Sequence, residues 1–420
     1  MNSDISGFYN LSIEERLKIV KEFSDLTDED VEILKKACID IETANRMSEN
    51  VISAQQLPLG IATHFLINKK DYLIPMAIEE PSVVAAASYA AKLARYSGGF
   101  FANASESLMI GQVQVINCKN IEKAKTEIME RKKDLLKIAN DTNPRLIEYG
   151  GGARDIEIRE IETERGRMLI VHIIVDVRDA MGANIVNTMC EAIAPQIEEI
   201  CKGKVRLRIV SNLAIKRIAR ARAVWKKDVI GEDTIEGILD AYAFASADIF
   251  RCATHNKGIM NGIDALAIAT GNDFRAIEAG AHAYASITGK YSPLTKYWKD
   301  EDGNLVGEIE MPMQIAIVGG ATKTNRIAQI ALKILRVKSA QELAEVAVSL
   351  GLAQNFAALR ALATEGIQRG HMELHSRNIA IMAGAIGSEI DEVAKIMVEN
   401  KDISVKKAEE ILKEIRKSKR

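Results

Sequence analysis

The chain has 420 residues, 47% hydrophobic and 27% charged, the balance of a soluble globular protein able to bury about three quarters of the surface its unfolded chain exposes. Its net charge of −2 gives no global attraction to nucleic acid or to an anionic membrane. Cys38, Cys118, Cys190, Cys201 and Cys252 are scattered without a CxxC spacing, which argues against a disulfide framework or zinc ribbon and for a reducing, cytoplasmic setting. The length predicts about three domains. The polar, acidic N-terminus predicts no signal peptide. The longest apolar runs, such as Met168–Val175, are about half a membrane span.

In chain order, Ser12 with Glu15 and Thr27 with Asp30 are capping-box patterns that open two helices, to Phe23 and Lys36. Gly60–Ile67 and Tyr72–Ile78 read as an extended hairpin. Pro81-Ser82 then opens an alanine-rich helix to Arg95. From Leu108 the character changes. A strand to Cys118, an amphipathic helix over Ile121–Ile138, an alternating strand over Asp155–Glu162, an apolar strand over Met168–Val177, a helix over Ala183–Cys201 and a strand over Val205–Val210 follow. This β-α-β-β-α-β order is ferredoxin-like. Residues 214–365 read as helices interrupted by a hairpin, Thr295–Lys299 and Leu305–Met311. The predicted fold is α+β. A large, mainly helical substrate- and CoA-binding domain (1–105 and 214–365) holds an inserted dinucleotide-binding ferredoxin-like domain (106–213), and a small helical C-terminal flap follows (366–420).

The chemistry concentrates in Arg251–Asp273. Thr254, His255, Asn256, Lys257 and Asn261 crowd an otherwise apolar stretch, and Gly258 and Gly262 bracket Ile259-Met260-Asn261, which predicts a close backbone turn. A lysine there is partly desolvated and needs a carboxylate, for which Asp273 is a candidate. Taken alone, the spacing favours plainer readings. Lys257 is then a solvated loop lysine, Asp273 a helix N-cap, and Glu80, beside Pro81, a carboxylate complementing a helix dipole. Gly182-Ala183-Asn184 opens a helix after the strand ending at Val177. It is not GxGxxG, so ordinary strand-turn-helix packing is the reading from spacing alone.

Longer blocks weigh against those readings. Residues 78–89 (IEEPSVVAAASY), 179–184 (DAMGAN) and 365–375 (EGIQRGHMELH), with Glu49-Asn50-Val51, Gly150–Asp155, Ser211-Asn212-Leu213, His255–Asp264, Met311–Thr324 and Ala361–His371, closely resemble the soluble, class II 3-hydroxy-3-methylglutaryl-CoA reductases over nearly the whole chain. The resemblance implies two hydride transfers from NADH or NADPH to a CoA thioester, giving mevalonate. It implies Lys257 as oxyanion stabiliser, Glu80 as proton donor, Asp273 orienting and tuning Lys257, and His371 protonating the CoA thiolate from a flap that closes over substrate. It implies Ser82 and Arg251 as holders of the substrate carboxylate, with Asn212, Asn261, Gln354 and Asn355 nearby. Asp179, Met181, Gly182, Ala183 and Asn184 are implied to hold the dinucleotide, with Asn143 near the ribose. Tyr9 stands where some relatives carry an arginine that contacts CoA phosphate. The resemblance also implies a homodimer with its site at the subunit interface, Glu80 coming from the opposite subunit, and further assembly as a trimer of dimers.

His371 and His375 have H-x3-H spacing, but HExxH and a third ligand are missing, so no metal is expected. Val318–Thr324 has the wrong glycine spacing for a P-loop. Two rival functions stand beside the main one: another acyl-CoA or aldehyde oxidoreductase, and a nucleic-acid-binding protein. The second would use Lys216, Arg217, Arg220, Arg222, Lys226 and Lys227, read as a basic helix face.

Overall fold

The structure is a computed structural model describing residues 2–37, 39–364, 376–400 and 402–418. The two capping boxes form as expected, at the starts of α1 (Ile13–Ser24) and α2 (Asp28–Lys36), and α3 (Ile41–Met47) follows. The hairpin is β1 (Leu59–Ile67) with β2 (Lys70–Ala77). Its two-residue turn puts both Asn68 (φ 49°) and Lys69 (φ 65°) in the left-handed region, the backbone that matches strand twist in tight hairpins. After α4 (Val83–Arg95) come β3 (Phe100–Ala104) and β4 (Leu108–Ile116).

The stretch from β4 to Ser211 builds an antiparallel four-stranded sheet of order β5-β6-β4-β7, the ferredoxin-like arrangement. Its other strands are β5 (Gly152–Ile161), β6 (Met168–Asp176) and β7 (Lys204–Ser211). One amphipathic helix was expected over Ile121–Ile138. The chain instead breaks at Arg131 into α5 (Ile121–Glu130) and α6 (Lys132–Asp141), with a short α7 (Pro144–Glu148) after them. With α8 (Ala183–Cys201) these helices cover one sheet face over a core of their own, including Ile128, Leu135, Val171, Ile193 and Ile197.

The second sheet has six strands, ordered β2-β1-β3-β8-β10-β9, with β8 (Ile218–Trp225), β9 (Thr295–Lys299) and β10 (Leu305–Pro312). The remaining helices here are α9 (Lys227–Ile230), α10 (Glu232–Ala247), α11 (Ile249–Ala269), α12 (Phe274–Ala285), α13 (Arg326–Leu335) and α14 (Ala340–Ala363). Among the described residues α14 is long and apolar enough to cross a membrane, but most of it is buried inside the protein. Its Phe356 ring stacks on Trp225 of β8 with centroids 3.9 Å apart. The C-terminal helices Ser388–Glu399 and Val405–Ser418 share a small separate core with Ile379 and Ala380.

Two sequence expectations fail in this sheet. The basic run is not a helix face. It lies in and around β8, a central strand with β3 and β10 on either side. Arg220 pairs with Glu310, the Arg222 guanidinium lies over the Trp298 ring, and Lys216 pairs with Glu157 at 2.6 Å. Arg217 is buried. Charges spent this way do not form the open basic groove that a nucleic acid needs, and that rival falls. The expected turn at Gly258–Gly262 is also absent, because both glycines lie within the continuous helix α11. Their missing side chains serve helix packing: a Cβ on Gly262 would meet the Gln354 Cβ at 3.2 Å, and one on Gly258 the Ala358 Cβ at 3.8 Å, both on α14.

Candidate active site

Residues seven apart on a helix return to nearly the same face. Lys257, Asn261 and Asp264 therefore form one stripe along α11, about a third of a turn around the helix from the glycines that meet α14. Lys257 Nζ donates to Glu80 Oε2 at 3.0 Å, both side chains being partly exposed. Glu80 precedes Pro81 in the turn that leads into α4. Ser82 caps that helix with φ 73°, in the left-handed region, a strained backbone for a residue with a side chain and a recurrent feature of functional sites. Its hydroxyl is buried and has no protein partner. The Gln354 side-chain oxygen, on α14 where it packs against Gly262, is likewise buried and unpartnered. Buried polar atoms in native proteins are nearly always bonded, so the Ser82 hydroxyl, two residues from Glu80, marks a place for a polar ligand.

Arg251 lies in the first turn of α11, its amide bonded to the N-cap carboxylate of Asp248 at 2.7 Å. Burial pulls its guanidinium below the usual arginine range. Among the described residues no carboxylate lies within ion-pair distance of it, so it is available to an anion.

Other expected residues are placed elsewhere. Asp273 caps α12, accepting from the Ala276 amide at 3.1 Å, and pairs with Arg275 at 3.1 Å. Lys257 lies twelve residues before the end of α11, about 18 Å along the axis, and the Asn272 amide bonds back to Ala267 at 2.7 Å, holding the next residue at that far end. Asp273 therefore does not orient the Lys257 of its own chain. Asn355 turns inward. Its amide donates to the His255 carbonyl at 3.1 Å, and its oxygen accepts from Thr295 and Tyr297 at 3.0 and 2.9 Å. It ties α14 to α11 and β9 and is buried among them, turned away from the open site. Asn212 is exposed beyond β7, its carbonyl accepting from Gln314 at 2.9 Å. His371 and His375 lie outside the described residues. Tyr9 is exposed, and its carbonyl accepts from Arg16 at 2.9 Å.

A second centre lies in the turn from β6 to α8. Gly182 caps α8 with φ 98°, and a Cβ there would lie 2.5 Å from Val177, so only glycine fits. Met181, Ala183 and Asn184 surround that helix start, where free N–H groups and the helix dipole favour an anion. Asp179 is not free to contact a ligand through both oxygens, because Oδ1 accepts from the Ala340 amide at 2.7 Å at the start of α14. Asn143 caps α7, accepting from the Leu146 amide at 3.1 Å. Nearby, Arg154 and Arg178 reach Asp176 at 3.1 and 3.5 Å. Among the described residues no cluster of three His, Cys, Asp or Glu side chains could hold a metal.

A model of the hydroxymethylglutaryl-coenzyme A reductase family matches residues 12–376. The chain belongs to the hydroxymethylglutaryl-coenzyme A reductase family. A 3-hydroxy-3-methylglutaryl-coenzyme A reductase of Archaeoglobus fulgidus is 63% identical over 99% of this chain and 95% of its own length, and a probable one of Borreliella burgdorferi is 37% identical over 89% and 86%. The solved class II reductase of Streptococcus pneumoniae bound to NADPH in open conformations has a TM-score of 0.82 at 41% identity, covering 97% of this chain and 100% of that one. The chain is thus a class II hydroxymethylglutaryl-CoA reductase, an oxidoreductase that takes this thioester to mevalonate.

For a reductase of this family, the Lys257–Glu80 pair corrects the expectation that Glu80 comes from the opposite subunit, since one chain supplies both residues. Sequence reasoning also missed two features. One is a carboxyl pair, Asp264 with Glu278, linked to His282. The i,i+7 step from Lys257 to Asp264 and the i,i+4 step from Glu278 to His282 were its available signals. The other is Arg217, hidden within a run read as surface.

Proposed function

We propose that the chain reduces 3-hydroxy-3-methylglutaryl-CoA in two hydride transfers, consuming two NAD(P)H and two protons and releasing mevalonate and CoA. The observation that carries this reading is the Lys257–Glu80 pair, with the unpartnered Ser82 hydroxyl two residues from Glu80. The dinucleotide, when bound, supplies hydride. Arg251 holds the substrate carboxylate, with Ser82, Asn261 and Gln354 completing the polar wall. As each carbonyl carbon is reduced, negative charge gathers on its oxygen. Lys257 meets that charge, and Glu80, once it has taken up a proton from solvent, delivers it to that oxygen. Breaking the C–S bond of the hemithioacetal leaves an aldehyde and a thiolate, which His371 protonates.

Met181, Gly182, Ala183 and Asn184 hold the pyrophosphate at the start of α8. Asp141, beside Asn143, is paired with Lys137 at 2.7 Å, while Arg145 adds positive charge. That balance favours the 2′-phosphate of NADPH over NADH. The S. pneumoniae relative solved with NADPH agrees with this choice.

A second copy completes the site. Asp273 is too far along α11 to reach its own Lys257, and Phe250, 83% exposed beside Arg251, is an apolar side chain, like the exposed Ile249 and Phe244, suited to burial against a partner. In this reading Asp273, rather than Glu80, crosses the interface. Mixed and reassembled, the inactive variants Lys257→Ala and Asp273→Ala then recover activity in hybrid dimers. No recovery despite verified subunit exchange would exclude the shared site. A cytoplasmic location belongs to the same proposal, supported by four free cysteines among the described residues.

The function is tested by following nicotinamide absorbance with 3-hydroxy-3-methylglutaryl-CoA and NADH or NADPH supplied separately. Two nicotinamides oxidised per mevalonate, faster with NADPH, is the expected result. No oxidation with either, and none in reverse from mevalonate, oxidised cofactor and CoA, would overturn it.

A further inference from the structure

Arg217 has no part in the chemistry above, yet it is 4% exposed. Burial pushes its guanidinium down to about 10, opposed by the charges of Asp179 and Asp176. A buried charge is normally paired, but among the described residues no carboxylate lies within ion-pair distance of this one. Its partners are main-chain carbonyls. Nη1 donates to Ala180 at 3.0 Å and, more weakly, to Met181 at 3.4 Å, while Nη2 donates to Ile315 at 2.6 Å. The first two belong to the turn before α8, and the third to the chain just after β10.

This geometry has a stereochemical consequence. The peptide unit is planar and trans, so its C=O and the following N–H point in opposite directions. Drawing the Met181 carbonyl toward Arg217 turns the Gly182 N–H away from it, at a helix start whose first N–H groups lack intrahelical partners. The other end of the turn is fixed too, by the Asp179 carboxylate on the Ala340 amide at 2.7 Å and the Asp179 carbonyl on the Ile317 amide at 3.1 Å.

We infer that Arg217 is a positioning residue for the dinucleotide: from beneath the Ala180–Gly182 turn it holds the peptide planes so that their N–H groups face the pyrophosphate, and it adds a buried positive charge behind them. The inference rests on the cofactor reading above. It distinguishes Arg217 from its neighbours Arg220 and Arg222, whose side chains meet Glu310 and Trp298.

The test uses the full-length enzyme with Arg217→Met and Arg217→Lys. NADPH affinity is read from quenching of nicotinamide fluorescence, KM for 3-hydroxy-3-methylglutaryl-CoA from steady-state rates, and folding from circular dichroism. Arg217→Met is expected to weaken NADPH binding about tenfold or more, the scale of a lost charge-assisted hydrogen bond, while the KM for the thioester stays within about twofold. Arg217→Lys, which keeps the charge and fewer donors, falls between the two. If Arg217→Met does not fold, Arg217→Lys decides by the same split. Unchanged NADPH affinity in a folded variant, or equal losses for cofactor and thioester, would overturn the inference and leave the cofactor reading standing. No saturable NADPH binding by the parent enzyme would remove both.

Discussion

Two acidic sites share one face of α11 and behave in opposite ways. At Lys257 a partly exposed ammonium meets the partly exposed carboxylate of Glu80 at 3.0 Å. Seven residues on, Asp264 is half-buried against Glu278, with one buried carboxyl oxygen unpartnered. Burial first, and then the hydrogen bond and charge of Glu278, push Asp264 up to about 8. Glu278 is held below the usual carboxylate range, chiefly by His282 at 2.6 Å, and His282 is raised in turn by Glu278. The helix supplies the same geometry to both sites. At the second site, burial beside another carboxyl is what favours the protonated form of Asp264. The first site can exchange charge with a ligand, whereas the second holds its proton within the protein.

The largest test of this contrast removes the charge at the open site. Lys257→Ala is expected to lower kcat by about a thousandfold, as loss of an oxyanion donor does, with little change in Tm because an exposed pair contributes little to stability. Steady-state rates alongside a thermal melt check both halves. Near-parental turnover in a folded variant would remove Lys257 from the chemistry.

How much of this was legible beforehand differs between the two sheets. In the four-stranded sheet, Ile156, Ile158 and Ile161 stand among charges, and β6 is buried throughout, so both strands could be read from pattern alone. In the six-stranded sheet, β8 reads Ile-Ala-Arg-Ala-Arg-Ala-Val-Trp and β3 Phe-Phe-Ala-Asn-Ala. Alanine is a poor strand former by propensity. It serves here because α14 packs closely over both strands, and that contact is invisible in sequence. The helix α11 was obscured for a related reason. Gly258 and Gly262 look like turn residues, but they are small because another helix passes beside them. Lys257, Glu80, Ser82 and Gln354 were found through the family resemblance. The Lys257–Glu80 contact joins residues 177 apart in the chain, which only long-range packing of α11 against the start of α4 brings together. Asp273 did carry a local signal, because spacing alone reads it as the N-cap of α12 that it is, whereas the inward turn of Asn355 had none.

The shared helix gives a test of intermediate size. Gly262→Ala puts a methyl 3.2 Å from both Gln354 Cβ and Leu350 Cγ, a fit that forces α11 and α14 apart and costs about 1–3 kcal/mol. Both stripe sites move with the helix, so turnover should fall as well. Gly258→Ala is the control, since its nearest neighbour would be 3.8 Å away. Helix propensity there should leave stability unchanged or raise it by up to about 1 kcal/mol. Denaturant midpoints of the two variants compare them directly, and equal losses would show that the glycines do not set the helix contact.

The smallest effect probes the proton at the closed site. Asp264 stands at about 8 in the fold against an ordinary aspartate value of 3.8. Between those values the folded chain keeps a proton that the unfolded chain has released. Stability contributed by this group is therefore fully present below the unfolded value, falls as pH rises across the window, and is gone above 8. Asparagine has nearly the shape of the protonated acid and can still donate to Glu278, but it cannot ionise. Asp264→Asn should accordingly melt close to the parent at pH 4 and above it at pH 9, by about 2 °C. His282, raised by Glu278, and Glu278, lowered by His282, face the same group and also titrate, so the informative quantity is the difference between variant and parent at each pH. A variant that melts below the parent by the same amount at both pH values would mean that Asp264 is ionised throughout. The two ends of the stripe would then hold charge alike, and burial beside Glu278 would not be what separates them.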